Sequence, residues 1–289
     1  MIGEINPILR RRKLASELRR LREDLGINGV QVSRALHWST SKLSRVETGQ
    51  VAPSVKDVAK LLKHYQAEEN SGLLLELAGN HTAKAWWEPY SDVLSETALE
   101  YIGLEDGARK IKAWNNNVLP GLLQTRPYAT ELARLYRAVE LATPTQIERR
   151  TRARMRRQQL LTDDRLTYTA VVEEAALRRR FGEADVATMR EQLRHLLKLS
   201  DLPNITIHVL LLEQAHPIDL SSFVHLEFPS MPLLGPISAD VVYTEDYPAL
   251  ELIESEERVY RYFLLFDLLR EAALDEEASR DRIASLAGL

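Results

Sequence analysis

Ile27-Asn28-Gly29-Val30-Gln31-Val32-Ser33-Arg34-Ala35-Leu36-His37-Trp38-Ser39-Thr40-Ser41-Lys42-Leu43-Ser44-Arg45-Val46-Glu47-Thr48-Gly49 is the stretch whose reading decides the fold. It reads as two short helices around a tight turn. Asn28 is placed to cap the first, which runs to about Leu36, and Ser39 to cap the second. Gly49 closes that second helix, because glycine tolerates the left-handed conformation at such ends. At about 100° per residue Leu43 and Val46 point the same way and form its buried side. The opposite side carries Ser41, Ser44, Arg45 and Thr48, flanked by Thr40 and Lys42, with no acid before Glu47. Hydroxyls and long donors around one helix face suit hydrogen bonds to base edges and phosphates in a major groove.

Working outward, Leu14, Leu18, Leu21 and Leu25 recur at helical spacing from Pro7 onward, interleaved with arginines. This predicts a helix over Pro7–Asp24, apolar on one side and basic on the other, with Arg11, Arg12 and Arg19 as candidate contacts to a DNA backbone. Residues 1–66 hold 13 Lys+Arg against 6 Asp+Glu, a balance of +7 within a chain of net charge −4. A basic segment of this kind matches a polyanion, because nucleic-acid affinity rests largely on phosphate neutralisation. The acidic remainder argues that only one end binds. After Gly49, Pro53-Ser54 opens a further helix with Val55, Val58, Leu61 and Leu62 inward, and Glu69–Ala78 reads as a fifth. Five short helices make a compact all-α domain over residues 1–80. Trp86, Trp87 and Pro89 interrupt the periodicity in a linker at 81–90, and 91–289 form a second domain.

Residues 9–78 resemble the lambda-repressor-like (Cro/Xre) helix-turn-helix family, above all at Ser41–Gly49 followed by Pro53-Ser54. Tyr101-Ile102-Gly103-Leu104-Glu105, and Leu119-Pro120-Gly121-Leu122-Leu123-Gln124-Thr125 with Tyr128-Ala129, resemble the regulatory domain that accompanies this module in actinobacterial, antitoxin-like transcriptional regulators. Val241-Val242-Tyr243 and a helix through Tyr260–Leu269 sit where that domain has its last strand and helix. The resemblance implies a DNA-binding regulator whose usual suspected partner is a small protein encoded beside it. Two residues depart from the family pattern. Gly29 stands where a glutamine usually touches the DNA backbone, so that contact goes to Asn28 or Gln31 or is lost. His37 stands where the turn commonly has glycine, and its φ is expected to be positive.

The second domain reads as mixed α/β. Strands are expected at Ile111–Asn115, Arg165–Val172, Asn204–Leu212, Ser222–Phe228 and Ala239–Thr244. Helices are expected after Thr125, over Thr145–Leu161 and Ala184–Leu199, and from Leu252 to about Leu286 with a break near Leu274-Asp275. The cluster Arg149, Arg150, Arg152, Arg154, Arg156 and Arg157 spreads around a helix inside an acidic domain. Intramolecular ion pairs are the default reading. The alternative is a docking surface for an acidic partner through Arg149, Arg152 and Arg156.

With no Cys there are no disulfides or thiolate metal sites. No apolar run approaches the roughly 18 residues of a membrane span. Arg10-Arg11-Arg12-Lys13 stand where an export signal needs its apolar stretch, so a cytoplasmic setting is expected. There is no G-x-S-x-G, H-E-x-x-H, G-x-x-x-x-G-K or G-x-G-x-x-G, so no enzyme is expected. His208, Glu213, His216, His225 and Glu227 match no ligand spacing, and neither metal nor cofactor is expected. Trp86, Trp87, Trp114 and Tyr243 suit a core more readily than a ligand pocket. Together these features imply an α+β multidomain chain: a five-helix helix-turn-helix domain, then an α/β domain for regulation and dimerisation. It would be a dimeric, operator-binding regulator of transcription, read through Asn28, Gln31, Ser39, Thr40, Ser41, Lys42, Ser44, Arg45 and Thr48. The alternative is an interaction protein that sequesters a small partner and autoregulates its operon.

Overall fold

The computed structural model describes residues 5–67, 71–79, 85–135, 137, 141–182, 186–231, 234–246 and 249–289. The chain divides into two compact units. One takes the described residues up to Trp86 together with Pro229–Ser238; the other takes Trp87–Phe228 and Ala239–Leu289.

The first unit is built from α1 (Pro7–Asp24), α2 (Gly29–Ala35), α3 (Thr40–Glu47), α4 (Val55–His64) and α5 (Ser71–Gly79). Each of the first four begins on a side-chain cap. Asn6 accepts from the Ile8 and Leu9 amides, Asn28 from Gln31, Ser39 from Lys42 and Ser54 from Asp57. Such caps satisfy amides that helix geometry leaves unpaired. Leu14, Leu18, Val32, Leu43, Val46, Val58, Leu61, Leu74 and Leu77 are buried together. The expected fifth helix begins at Glu69, outside the described residues, as are positions 81–84 of the expected linker.

The second unit runs α6 (Glu96–Gly107), β1 (Lys110–Asn115), α7 (Arg126–Leu135), α8 (Pro144–Arg157), β2 (Thr167–Glu173), α9 (Glu174–Arg178), α10 (Val186–Leu199), β3 (Ile205–Leu210) and β4 (Phe223–Glu227). A small hairpin that belongs to the first unit, β5 (Ser230–Met231) and β6 (Gly235–Pro236), precedes β7 (Val241–Asp246), β8 (Ala249–Ile253), α11 (Glu256–Ala272) and α12 (Glu276–Ala287) of the second. The sheet order is β3-β2-β1-β4-β7-β8. The pairs β1–β2 and β2–β3 are parallel, and β4, β7 and β8 join antiparallel. Trp114 lies beside Val171 and Phe223 in this register, and the face they share is buried with Val242, Ile253, Val259, Phe266 and Leu269. Trp87, Trp114 and Tyr243 are all core residues.

Three expectations are corrected. Leu252 does not open the last helix: Ala249–Ile253 pairs with β7 as a sheet-edge strand, and Ser255 precedes the helix at Glu256. The break near Leu274 is where it was expected, with Asp275 capping α12. Val241–Tyr243 and Tyr260–Leu269 are therefore followed by a further strand and a further helix. Finally, residues 229–238, expected in the second domain, belong to the first unit, because Leu234 fills a gap in its core.

The Leu119–Tyr128 stretch is a braced turn. Gln124 Nε2 donates to the Leu119 carbonyl and the Leu119 amide to Tyr128 Oη. Fully buried Gln192 accepts from the Thr125 amide and donates to the Leu123 carbonyl. These bonds satisfy backbone groups that no helix or strand would reach. In α9, Glu174 receives Arg178, Arg282 and the Leu212 amide. Burial alone would raise its pKa, but these donors outweigh burial and hold it below 4.5. A depressed carboxylate stabilises the fold above its unfolded value and loses that contribution as pH falls through the folded one. The thermal midpoint is thus expected to be flat near neutrality and to fall below about pH 4.5, as a calorimetric pH series would record.

Candidate nucleic-acid interface

The turn between α2 and α3 is set by His37, whose φ of 55° lies in the left-handed region. Gly49 follows the Thr48 cap with φ 71°. A Cβ there would meet Ala15 Cβ at 3.6 Å and Arg12 Cα at 3.8 Å, so the end of α3 rests directly on α1. Arg22 of α1 clamps the same end, with Nε donating to both Glu47 oxygens at 2.8 and 3.0 Å and Nη1 to the Ile27 carbonyl. Tyr65 Oη adds a 3.5 Å bond to Glu47. Glu47 is thus a structural anchor turned into the unit.

With Leu43 and Val46 buried, α3 exposes Thr40, Ser41, Ser44, Arg45 and Thr48, with Ser39 exposed at its N-cap. The Arg45 guanidinium has no hydrogen-bond or ion-pair partner among the described residues. The other predicted residues are engaged to different degrees. Thr48 Oγ1 donates to the Ser44 carbonyl, and Ser39 Oγ caps the Lys42 amide. Asn28 and Gln31 form a reciprocal capping box, each side-chain oxygen accepting the other's amide. A Cβ at Gly29 would touch Leu43 Cδ2 at 3.5 Å, ordinary contact, so no clash excludes a side chain there. Lys42 differs most from the expectation of a free donor: its ammonium bonds Asp57 at 3.1 Å and lies 4.0 Å from the Trp38 ring centroid. Burial would raise the Asp57 pKa, but Lys42 and Ser54 outweigh it and lower it. Replacing Lys42 by Met is expected to cost under about 1 kcal/mol of stability and to weaken DNA binding less than Arg45→Ala, as a filter-binding comparison would show.

On α1, Arg19 is exposed and paired with Glu23 at 2.8 Å. Arg11 and Arg12 are half-buried, and Arg11 Nε is buried without a partner. Arg34, absent from the contacts expected from sequence, is exposed on α2 beside Val30 and Gln31, and among the described residues its guanidinium, like that of Arg45, has no partner. Its signal was its place on the face opposite Val32 and Ser33, which are buried.

In the second unit the arginine cluster is mostly tied down. Arg149 pairs with Asp92 and the Pro89 carbonyl, Arg150 with the Val93 carbonyl, and Arg154 with Gln124. Arg152 reaches Glu148 at 3.5 Å, and Arg156 also has a partner. Arg157 forms a two-bond pair with Glu105, at 2.7 and 2.8 Å. Among the described residues no group of three acidic or histidine side chains is placed to hold a metal, and no helix is long and apolar enough to cross a membrane.

A capped helix pair with a free polar face, on a basic unit, defines a helix-turn-helix DNA-binding domain. Residues 13–71 match the family model for a helix-turn-helix domain. Residues 99–285, well over half of the chain, match the model for a domain of unknown function, DUF5753, and the chain belongs to that family. No curated protein and no solved structure matches it.

Proposed function

We propose that the chain is a cytoplasmic, lambda-repressor-like (Cro/Xre) regulator of transcription that binds a pseudo-palindromic operator as a symmetric dimer. Two copies of α3 would enter successive major grooves about 34–36 Å apart. The observation that carries this reading is the Arg45 side chain, exposed and unpaired beside Ser41 and Ser44 on a helix face cleared of acid by the Arg22–Glu47 clamp. Its guanidinium suits a bidentate contact to guanine, with Arg34 on a phosphate. The α/β domain serves dimerisation and regulation by a partner protein or ligand rather than catalysis. A cleft of about 350 Å³ lined by Trp114, Asn116, Glu173 and His216, at the carboxyl ends of parallel β1 and β2, suits the ligand option.

The test is binding to the DNA upstream of its own gene across a salt series, with oligomeric state measured in the same samples. We expect log affinity to fall linearly with log salt, with a slope of about −0.9 per phosphate contact. A flat response would remove the phosphate-driven interface. Arg45→Ala is expected to weaken operator binding by roughly 1–3 kcal/mol and to relax preference at one base position; unchanged affinity would take Arg45 out of the site. Co-purification of a stoichiometric small protein, lost when Arg149, Arg152 and Arg156 are replaced, would instead favour the antitoxin-like reading.

A further inference from the structure

We propose that Pro229–Ser238 is a built-in peptide ligand of the DNA-binding unit, and that it sets the placement of the reading helix α3. The role rests on the DNA-binding reading; the geometry stands without it. Leu234 enters the apolar core with Leu14, Leu18 and Val46, and Met231 packs against it. Beside it Lys13, only 4% exposed, donates to the Leu234 carbonyl at 2.5 Å and to Glu17 at 2.7 Å. Glu17 also receives Arg20 at 2.9 Å. Burial would raise the pKa of Glu17, but the bonds from Lys13 and Arg20 outweigh burial and lower it. The segment is therefore held by an apolar insertion and by a backbone carbonyl on a buried amine. Withdrawing it would strip the ammonium of a partner that water does not replace in a closed core.

The position of this contact matters more than its strength. Lys13 lies between Arg12 and Ala15, the two α1 residues on which Gly49 rests. Two turns further along α1, Arg22 holds Glu47. The segment thus bears on the same helix that supports both the last turn of α3 and its anchoring carboxylate. It is also the connection between β4 and β7, antiparallel partners in the central sheet of the other unit. Two residues separate β4 from β5 and four separate β6 from β7. Leu234 and Lys13 thus act, through α1, as positioning residues for α3.

The experiment compares full-length protein with Leu234→Ala and Lys13→Met by hydrogen exchange over residues 40–48, by DNA binding, and by the thermal transition. Exchange and binding are measured at a temperature where the first unit of the unmodified protein is folded. Exchange in 40–48 is expected to rise about fivefold or more in both variants, and affinity for the DNA upstream of the gene to fall about fivefold or more. Unchanged exchange and affinity in a folded variant would overturn the proposal. Unfolding of the first unit in both variants would also overturn it, by reducing the segment to a structural part. The exchange arm needs no DNA. If the unmodified protein fails to bind DNA, the functional reading falls while the segment is still tested.

Discussion

Arg157→Ala is expected to destabilise the α/β unit by about 3–5 kcal/mol, the largest single effect outside the apolar cores. Glu105 is 2% exposed and the Arg157 side chain 14%. Removing the guanidinium leaves a buried carboxylate with only the 2.7 Å bond from Tyr101 Oη. Burial disfavours the arginine's charge, but Glu105 outweighs burial and keeps it ionised. Tyr101 is pushed up in turn, by burial first and the Glu105 charge second, so its hydroxyl stays a donor. The Tyr101 ring stacks on Tyr243 at 4.0 Å, and Tyr243 lies on β7. One pair thus ties α6, α8 and the sheet. Denaturant unfolding followed by tryptophan fluorescence measures the loss, and a calorimetric midpoint lower by about 10 °C corresponds to it. The double replacement Arg157→Met, Glu105→Gln should recover most of the stability, because it removes the orphaned charge and keeps an acceptor for the Tyr101 hydroxyl. If the double variant were as unstable as the single one, packing rather than an orphaned charge would be the cause.

Glu47→Ala is expected to cost the DNA-binding unit about 3 kcal/mol and to abolish measurable DNA binding near its thermal midpoint. The Arg22 and Glu47 side chains are 14% and 9% exposed, so little of their attraction is lost to water. The estimate stays at the low end of the buried-pair range because Arg22 keeps the Ile27 carbonyl and a 3.4 Å approach to Glu23. The same change frees the last turn of α3, beside Arg45, so binding should weaken even where the unit is folded. Circular dichroism with DNA titration at two temperatures separates these effects. Normal affinity at the lower temperature would limit Glu47 to stability. Glu47→Gln, which keeps an acceptor but not the charge, should fall between.

The helix-turn-helix was legible because its determinants are local. Caps at Asn28 and Ser39, the 3.6-residue period of Leu43 and Val46, and a glycine at the C-terminus all act within one or two turns. The same holds for most strands of the α/β domain, where β-branched runs lie between turn residues. The helix drawn from Leu252 failed because an edge strand of alternating Leu and Glu carries little local preference; pairing with β7 decides it. Lys42 is a free cation in sequence and a tethered one in space, since Asp57 lies 15 residues away. Arg157 was one of six arginines whose spacing cannot say which finds a buried glutamate 52 residues upstream.

By itself, then, the sequence determined the helix pair and its caps, which residues of α3 are buried and which exposed, and the confinement of positive charge to one end. Only the tertiary structure decided that Glu47 and Arg22 hold α3, that Lys42 is engaged and the Arg34 side chain free among the described residues, and that Leu234 completes a core laid down more than 150 positions earlier. Helix periodicity and capping are properties of neighbouring residues, whereas the partner of a buried charge, or the plug of a core, is whatever the chain path brings within about 3 or 4 Å.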